Sequence, residues 1–259
     1  MSRLGEYILT KFSRDINSED YKDSEYEAVH NDVSKYSRNL ERTFPDMRKL
    51  VTGKRVLDIG CSWGLETIAI FLLGAAEVNG IDIRINTLKN SEIIDRYPAA
   101  KIDFKIMDAT KMAYPDEYFD AVVTCESMEH FQDPYLVLKE SLRVLKKGGV
   151  IFVSSSVWSH PWGAHMQFFT RLPWVQFLFS EKTIMNVRRR YRNDGAKKFT
   201  EVSGGLNKIG ITEFKKVIKD LDLTTVYIKL NPVKKLTFLI KIPLINELFT
   251  NLFIAIVKK

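Results

Sequence analysis

Val56-Leu57-Asp58-Ile59-Gly60-Cys61-Ser62-Trp63-Gly64 is the stretch that decides how this chain folds. An apolar run closes on an aspartate, and a glycine-spaced turn follows at once. Leu65-Glu66-Thr67-Ile68-Ala69-Ile70-Phe71-Leu72-Leu73 then reads as a buried helix. Strand, tight turn and helix open a nucleotide-binding α/β domain. Glycine lets backbone approach a ligand where a Cβ would collide, and the helix N-terminus offers unpaired N–H groups. Asp58 discriminates between ligands, because a carboxylate there repels a pyrophosphate and attracts an ammonium or sulfonium. The turn also departs from G-x-G-x-x-G, with Ser62 at the second glycine's place and Leu65 at the third's. Both departures point away from a dinucleotide.

Outward from this segment, short apolar strands alternate with helical stretches. Strands are predicted at Arg55-Ile59, Glu77-Asp82, Ile102-Ile106, Phe119-Cys125 and Val150-Ser154, and helices at Leu65-Leu73, Asn86-Tyr97 and Tyr135-Lys146. That alternation implies a parallel sheet covered on both faces, with ligands at the carboxyl ends of the strands. Acids recur at those ends. Asp82 closes the second strand, where a carboxylate accepts from both ribose hydroxyls of an adenosine. Asp108 follows the third, placed to accept from the adenine amino group while the Ala109 N–H donates to a ring nitrogen.

Three further segments complete the pattern. They are Tyr114-Pro115-Asp116-Glu117-Tyr118-Phe119-Asp120-Ala121-Val122, Cys125-Glu126-Ser127-Met128-Glu129-His130 and Leu142-Arg143-Val144-Leu145-Lys146-Lys147-Gly148-Gly149. With the opening turn, Asp82 and Asp108, they make residues 50 to about 155 resemble the class I S-adenosylmethionine (SAM)-dependent methyltransferases, of the kind called type 11. The resemblance implies a Rossmann-like sheet of seven strands, mostly parallel, with the last antiparallel and helices on both faces. Leu223-Leu230 and Phe249-Val257 can supply the sixth and seventh strands. It also implies S-adenosyl-L-methionine as cofactor, held by Asp58, Gly60, Cys61, Ser62, Gly64, Asp82, Ile83, Asp108, Ala109, Cys125 and Glu126. The Leu142-Gly149 segment has a local reading too, since lysines suit a helix C-terminus and glycine its left-handed cap.

A competing motif overlaps the first turn. Gly60-Cys61-Ser62-Trp63-Gly64 matches G-x-S-x-G, the nucleophile elbow of α/β-hydrolases, with His160 or His165 as the histidine that such a site needs. That elbow normally follows several strands, whereas here it follows the first.

Composition narrows the setting. A chain of 259 residues holds one domain with an attached cap or insertion. We divide it into an N-terminal helical cap over residues 1–50, with a helical stretch ending at Phe44 ahead of Pro45, and a catalytic domain over 51–259. Within the latter, 155–205 forms a lid on the acceptor side. Met1 to Asp20 has no apolar core of a signal peptide, and Cys61 and Cys125 form no C-x-x-C pair, so a cytoplasmic location is expected. No acid–histidine spacing predicts a metal site. The net charge of +7 is mild and concentrates in Arg188-Arg189-Arg190, Arg192, Lys197-Lys198 and the C-terminal lysines. Solvated faces, an anionic acceptor, a membrane surface or RNA each accommodate it.

Methyl transfer from a sulfonium is an in-line displacement, so orientation is the main requirement, and a hydroxyl acceptor must also lose a proton. His130, His160 and His165 are the candidate bases. The lid is rich in aromatics (Trp158, Trp162, Phe168, Phe169, Trp174, Phe177, Phe179) suited to packing, sugar rings or an acyl chain, and the Arg188–Arg192 cluster could grip a phosphate or carboxylate. Residues 236–245 are apolar, lysine-flanked and interrupted by Pro243. They are too short to span a bilayer, and read as a core hairpin between the last strands or as a peripheral membrane contact. The leading expectation is O-methylation of a small-molecule or glycan hydroxyl. An RNA or protein methyltransferase and a non-catalytic SAM-binding subunit are the alternatives. Nucleic acid is disfavoured because Cys125-Glu126-Ser127-Met128 stands where an Asn/Asp-Pro-Pro-Tyr motif would follow the fourth strand.

Overall fold

Successive residues of a strand point to opposite faces, so runs such as Val56-Leu57 and Ala121-Val122-Val123 bury both sides of a sheet. The computed structural model describes residues 2–14, 33–84, 95, 97, 100–163, 165–202, 205–234, 236–243 and 245–259. Strands β1 (Arg55–Ile59), β2 (Glu77–Asp82), β3 (Ile102–Ile106), β4 (Phe119–Cys125), β5 (Leu145–Ser156), β6 (Thr224–Pro232) and β7 (Thr250–Lys258) form one seven-stranded sheet in the order β3-β2-β1-β4-β5-β7-β6. β1 to β5 pair in parallel, and β7 inserts antiparallel between β5 and β6. This is the Rossmann-like arrangement expected from the sequence, and the first four strands fall on their predicted bounds.

Alternate residues feed two cores. Leu57, Val122, Ile151, Val153 and Phe253 pack with Val137 and Leu138 of α5 (Pro134–Val144) and Phe214 and Ile218 of α8 (Ile211–Asp220). Their neighbours Val56, Ala121, Val123, Phe152 and Ile254 pack on the other face. There they meet Ala69 and Ile70 of α4 (Leu65–Leu72), Leu40 of α2 (Val33–Thr43), and Met47 and Val51 of α3 (Met47–Val51). Phe44, at the break between α2 and α3, meets Phe152 edge-on at 5.4 Å. The helical stretch thus ends where the residue before Pro45 predicted.

Two readings need correction. The lysine–glycine segment is not a glycine-capped helix end. α5 stops at Val144, Leu145 is already extended, and Lys146-Lys147-Gly148-Gly149 belong to β5, with Gly148 at φ +75°. The orphan carbonyls of Leu142 and Leu145 instead accept from Lys259 Nζ at 2.7 and 2.6 Å. Nor is 236–245 a core hairpin: it forms a loop with short 3₁₀ turns, and Phe238 and Ile242 stand exposed. The predicted helix 86–97 lies outside the described residues except at Asp95 and Tyr97.

The lid contains α6 (Val175–Leu178) and α7 (Glu181–Arg188) and has its own core of Met166, Phe169, Val175, Ile184, Val187 and Phe199, joined by Leu9 of α1 (Ser2–Lys11). The end of α1 is clipped to the lid by a bridge between Ser13 and Thr170 and by Arg171 N–H donating to the Phe12 carbonyl at 3.0 Å. The described N-terminal helices therefore serve two places, with α1 on the lid and α2 on α4.

Candidate active site

A cleft of about 1790 Å³ opens at the carboxyl ends of β1, β2, β4 and β5. Its floor is the turn between β1 and α4. Gly60 and Gly64 adopt φ +82° and +84°, the left-handed region that glycine enters without strain. A Cβ at Gly60 would strike the Ser127 side chain, and one at Gly64 would come within 2.5 Å of the Phe104 ring. The turn is tied to β2 by Gly60 and Cys61 N–H groups donating to the Ile81 carbonyl at 2.8 and 3.1 Å. The Ile68 N–H donates back to the Gly64 carbonyl at 3.0 Å, closing the first turn of α4 at the edge of this floor.

Asp82 stands at the centre of this floor. Its Oδ2 accepts the Ser62 N–H at 3.0 Å and its Oδ1 accepts the Arg84 N–H at 2.9 Å. Each oxygen keeps further lone-pair capacity, directed by two backbone anchors. Ile83, 60% exposed, offers an apolar surface beside it. Asp108 lines the wall with Ala109, and Thr110 donates to Asp108 Oδ1 through both its N–H (2.8 Å) and its hydroxyl (2.7 Å). Cys125 and Glu126 line the cleft from the end of β4, where Glu126 takes φ +47° and its N–H donates to the Ser154 carbonyl at 2.9 Å. Burial pushes the Cys125 thiol well above its ordinary range, so it packs as a neutral group.

Asp58 is placed differently from the other acids. It lies beneath the turn, 2% exposed and outside the cleft lining, and its Oδ2 accepts the Thr67 hydroxyl at 2.6 Å. Burial pushes its carboxyl up to about 7, with the Thr67 hydrogen bond opposing and the charge of Asp82 adding. Cys61 is likewise buried below the lining, its thiol raised by burial, whereas Ser62 lines the cleft.

The histidines separate clearly. His130 lines the cleft, and its Nδ1 stands 2.7 Å from the Gly205 carbonyl. A carbonyl only accepts, so Nδ1 carries a proton, and in the neutral tautomer that this contact selects, the lone pair sits at Nε2. His165 Nε2 lies 3.1 Å from that atom, within hydrogen-bond reach, with the two rings stacked at 5.0 Å. His160 is elsewhere: it is 5% exposed, does not line the cleft, and its Nδ1 accepts the Trp162 N–H at 3.2 Å. Burial holds its pKa down to about 4, so it is neutral and structural. With His160 buried and His165 committed to His130, the hydrolase reading of Ser62 finds no histidine partner among the described residues.

Other parts of the site were not visible in the sequence. Asn207 donates from Nδ2 to the carbonyls of Met128 (2.6 Å) and Phe131 (2.7 Å) and accepts the Ile209 N–H (2.9 Å), clamping the 3₁₀ turn that carries His130. Buried Glu129 accepts the Ser155 hydroxyl at 2.9 Å beneath it. Lys35, Tyr36 and Asn39 of α2 form one wall of the cleft. The arginines proposed for an anionic acceptor are absent from the cleft. Arg188 pairs with Asp194 through both guanidinium nitrogens, Arg190 reaches Thr10 and Glu6, and Arg192 donates to the Phe168 carbonyl.

This geometry suits an adenosine-bearing cation, and comparison with known proteins identifies the domain. A family model described as a methyltransferase domain matches residues 57–153. Residues 57–153 thus match a methyltransferase domain, in keeping with the class I SAM-dependent enzymes the sequence resembles. S-adenosyl-L-methionine is the methyl donor of that domain. The chain is 31% identical over 156 residues to a ubiquinone biosynthesis O-methyltransferase of Chromobacterium violaceum, covering 60% of this chain and 65% of that one. It is 30% identical over 150 residues to phosphoethanolamine N-methyltransferase 3 of Arabidopsis thaliana, covering 55% of this chain and 30% of that one. The chain thus spans less than two thirds of the length of these curated relatives. Among solved structures, a SAM-dependent methyltransferase from Archaeoglobus fulgidus shares the fold, with a TM-score of 0.57, 18% identity, and coverage of 92% of this chain and 100% of that one. Among the described residues there is no cluster able to hold a metal ion, and no helix long and apolar enough to cross a membrane.

Proposed function

We propose that this protein transfers a methyl group from S-adenosyl-L-methionine to a hydroxyl of a small-molecule or glycan acceptor. The reading keeps the division into a 1–50 helical segment and a 51–259 catalytic domain with its 155–205 lid. The residues fit the cofactor: a Cβ-free cradle at Gly60 and Gly64 admits it, Asp82 accepts from its ribose, and Asp108 with Ala109 meets its adenine beside Ile83. Ser62, Cys125 and Glu126 complete the wall, and Asp58 with buried Cys61 underlies it. Bound S-adenosyl-L-methionine supplies an electrophilic methyl group on a cationic sulfur.

The observation that carries the choice of a hydroxyl is the His130–His165 pair. The Gly205 carbonyl fixes His130 with its lone pair at Nε2, and Asn207 holds the turn beneath it. An acceptor O–H that takes the place of His165 Nε2 meets that lone pair. His130 then takes the proton at Nε2, and the Gly205 carbonyl, which accepts the Nδ1–H, stabilises the resulting imidazolium. His165 provides the return route for the proton. A positioned base of this kind contributes about 10²- to 10⁴-fold. An amine acceptor, as the name of the second relative indicates for that protein, needs no comparably placed base once its nitrogen is neutral.

The test is radiolabel transfer from S-adenosyl-L-methionine to a panel of phenols, sugar alcohols and primary amines. Labelling of hydroxyl acceptors that collapses in His130→Ala, with cofactor affinity intact, supports the reading. Labelling confined to amines, indifferent to His130, contradicts it.

A further inference from the structure

α1 is an amphipathic helix turned the unexpected way. It buries Leu9 and sets Gly5 against Phe179 and Thr183, while Leu4 (68% exposed), Tyr7, Ile8 and the following Phe12 face solvent. Lys11 lies on this outward side with its ammonium over the Tyr7 ring at 4.6 Å. Phe179 ends α6, whose Phe177 and Leu178 are 57% and 62% exposed. On its other side α6 is anchored by Trp174, whose ring meets Phe249 at 5.8 Å. Phe249 closes the 233–249 connection, where Phe238 is 62% exposed and Ile242 also open. Three segments remote in sequence therefore present large apolar side chains through one chain of contacts. They do so at the cleft end of the molecule: Ser156, the last residue of β5, pairs with Leu252 at the start of β7, and Leu252 lines the cleft.

Charge selects what this surface meets. Over 2–14, 171–190 and 233–249 the described acids are Glu6, Glu181 and Glu247; Glu6 pairs with Arg190 at 3.5 Å, Glu181 with Lys208 at 3.6 Å, and Glu247 accepts from Thr212 and Ser159, turned toward the protein. Arg3, Lys11, Arg171, Lys182, Arg189 and Lys241 are exposed there. Apolar side chains set among cations match the interface of an anionic bilayer, where rings and aliphatic chains enter the acyl boundary and ammonium and guanidinium groups stay at the phosphates. A second copy of the same surface would bring like charges together.

We infer that α1, α6 and the described residues of the 233–249 loop form a single docking surface for an anionic phospholipid membrane, which sets the mouth of the cleft at the lipid interface. This goes beyond the methyl-transfer reading and stands without it.

The test is co-sedimentation of the full chain with vesicles of equal parts phosphatidylglycerol and phosphatidylcholine, against vesicles of phosphatidylcholine alone. The protein should pellet with the first and stay in solution with the second. Three double or single variants, Leu4→Ser with Ile8→Ser, Phe177→Ser with Leu178→Ser, and Phe238→Ser, should each weaken partitioning by about tenfold. Their melting temperatures and affinity for S-adenosylhomocysteine should match the parent, because none of these side chains is buried or lines the cleft. Failure to pellet with the anionic vesicles overturns the inference, as does binding that is unchanged in all three variants. A dimer by light scattering that the same substitutions dissociate would assign the surface to a second copy instead.

Discussion

Asp58 should make cofactor affinity a function of pH. Its carboxyl is pushed from an ordinary value near 3.8 to about 7 by burial beneath the β1–α4 turn. Ionising it there costs about 4 kcal/mol relative to an exposed carboxylate. The folded-state value is raised, so the contribution of Asp58 to stability is greatest at low pH and is lost as pH rises through about 7. A cationic ligand above the turn acts in the opposite sense, since it favours the ionised form and draws its value down. With a carboxyl titrating near 7, about 10% is ionised at pH 6 and about 90% at pH 8. A ligand that requires the ionised form then binds about tenfold more tightly at pH 8 than at pH 6. Calorimetry with S-adenosyl-L-methionine across this range, in buffers of differing ionisation enthalpy, reads both the affinity and the protons released. Asp58→Asn should flatten the profile, abolish the proton release near pH 6.5 and raise the melting temperature of the free protein most at pH 8. A pH-independent affinity with Asp58 intact would refute this reasoning.

Gly64→Ala places a Cβ against the Phe104 ring at φ +84°, costing about 1–2 kcal/mol in backbone strain alone. Its melting temperature should fall and cofactor binding should be lost in calorimetry. Asp82→Ala removes the acceptor for the Ser62 and Arg84 N–H groups as well as the ribose partner, and should weaken S-adenosylhomocysteine binding by about 10²-fold with a smaller loss of stability. Asn207→Ala strips the clamp from the Met128 and Phe131 carbonyls, for about 2 kcal/mol in denaturant unfolding, and should lower turnover more than cofactor affinity. His160→Gln should change stability and leave the pH dependence of turnover in place, because His160 lies outside the cleft.

The sheet was legible because its signal is local. Each of the first four strands is a short apolar run bounded by turn residues, and each starts and stops where those residues do. β5 ran longer than predicted because Lys146 and Gly149 look like a helix end in isolation. What draws them into the strand is nonlocal, namely Lys146 pairing with Asp120 at 2.8 Å and Lys259 capping α5. The acids were legible as strand ends, yet the burial of Asp58 was not, since that depends on Thr67 folding back from α4. The histidine pair was half legible. His130 and His165 were each nominated, but their 3.1 Å contact, the Gly205 carbonyl and the Asn207 clamp join segments that only the tertiary fold brings together. The buried state of His160 and the ion pairs that occupy Arg188 and Arg190 escaped for the same reason.

Equilibrium binding of S-adenosyl-L-methionine to the purified protein bears most directly on the cleft as an adenosine-cation site. The account predicts saturable binding of one molecule per chain, displaced by S-adenosylhomocysteine and lost in Gly64→Ala. No binding of either, alongside tight binding of a nicotinamide dinucleotide, would contradict it.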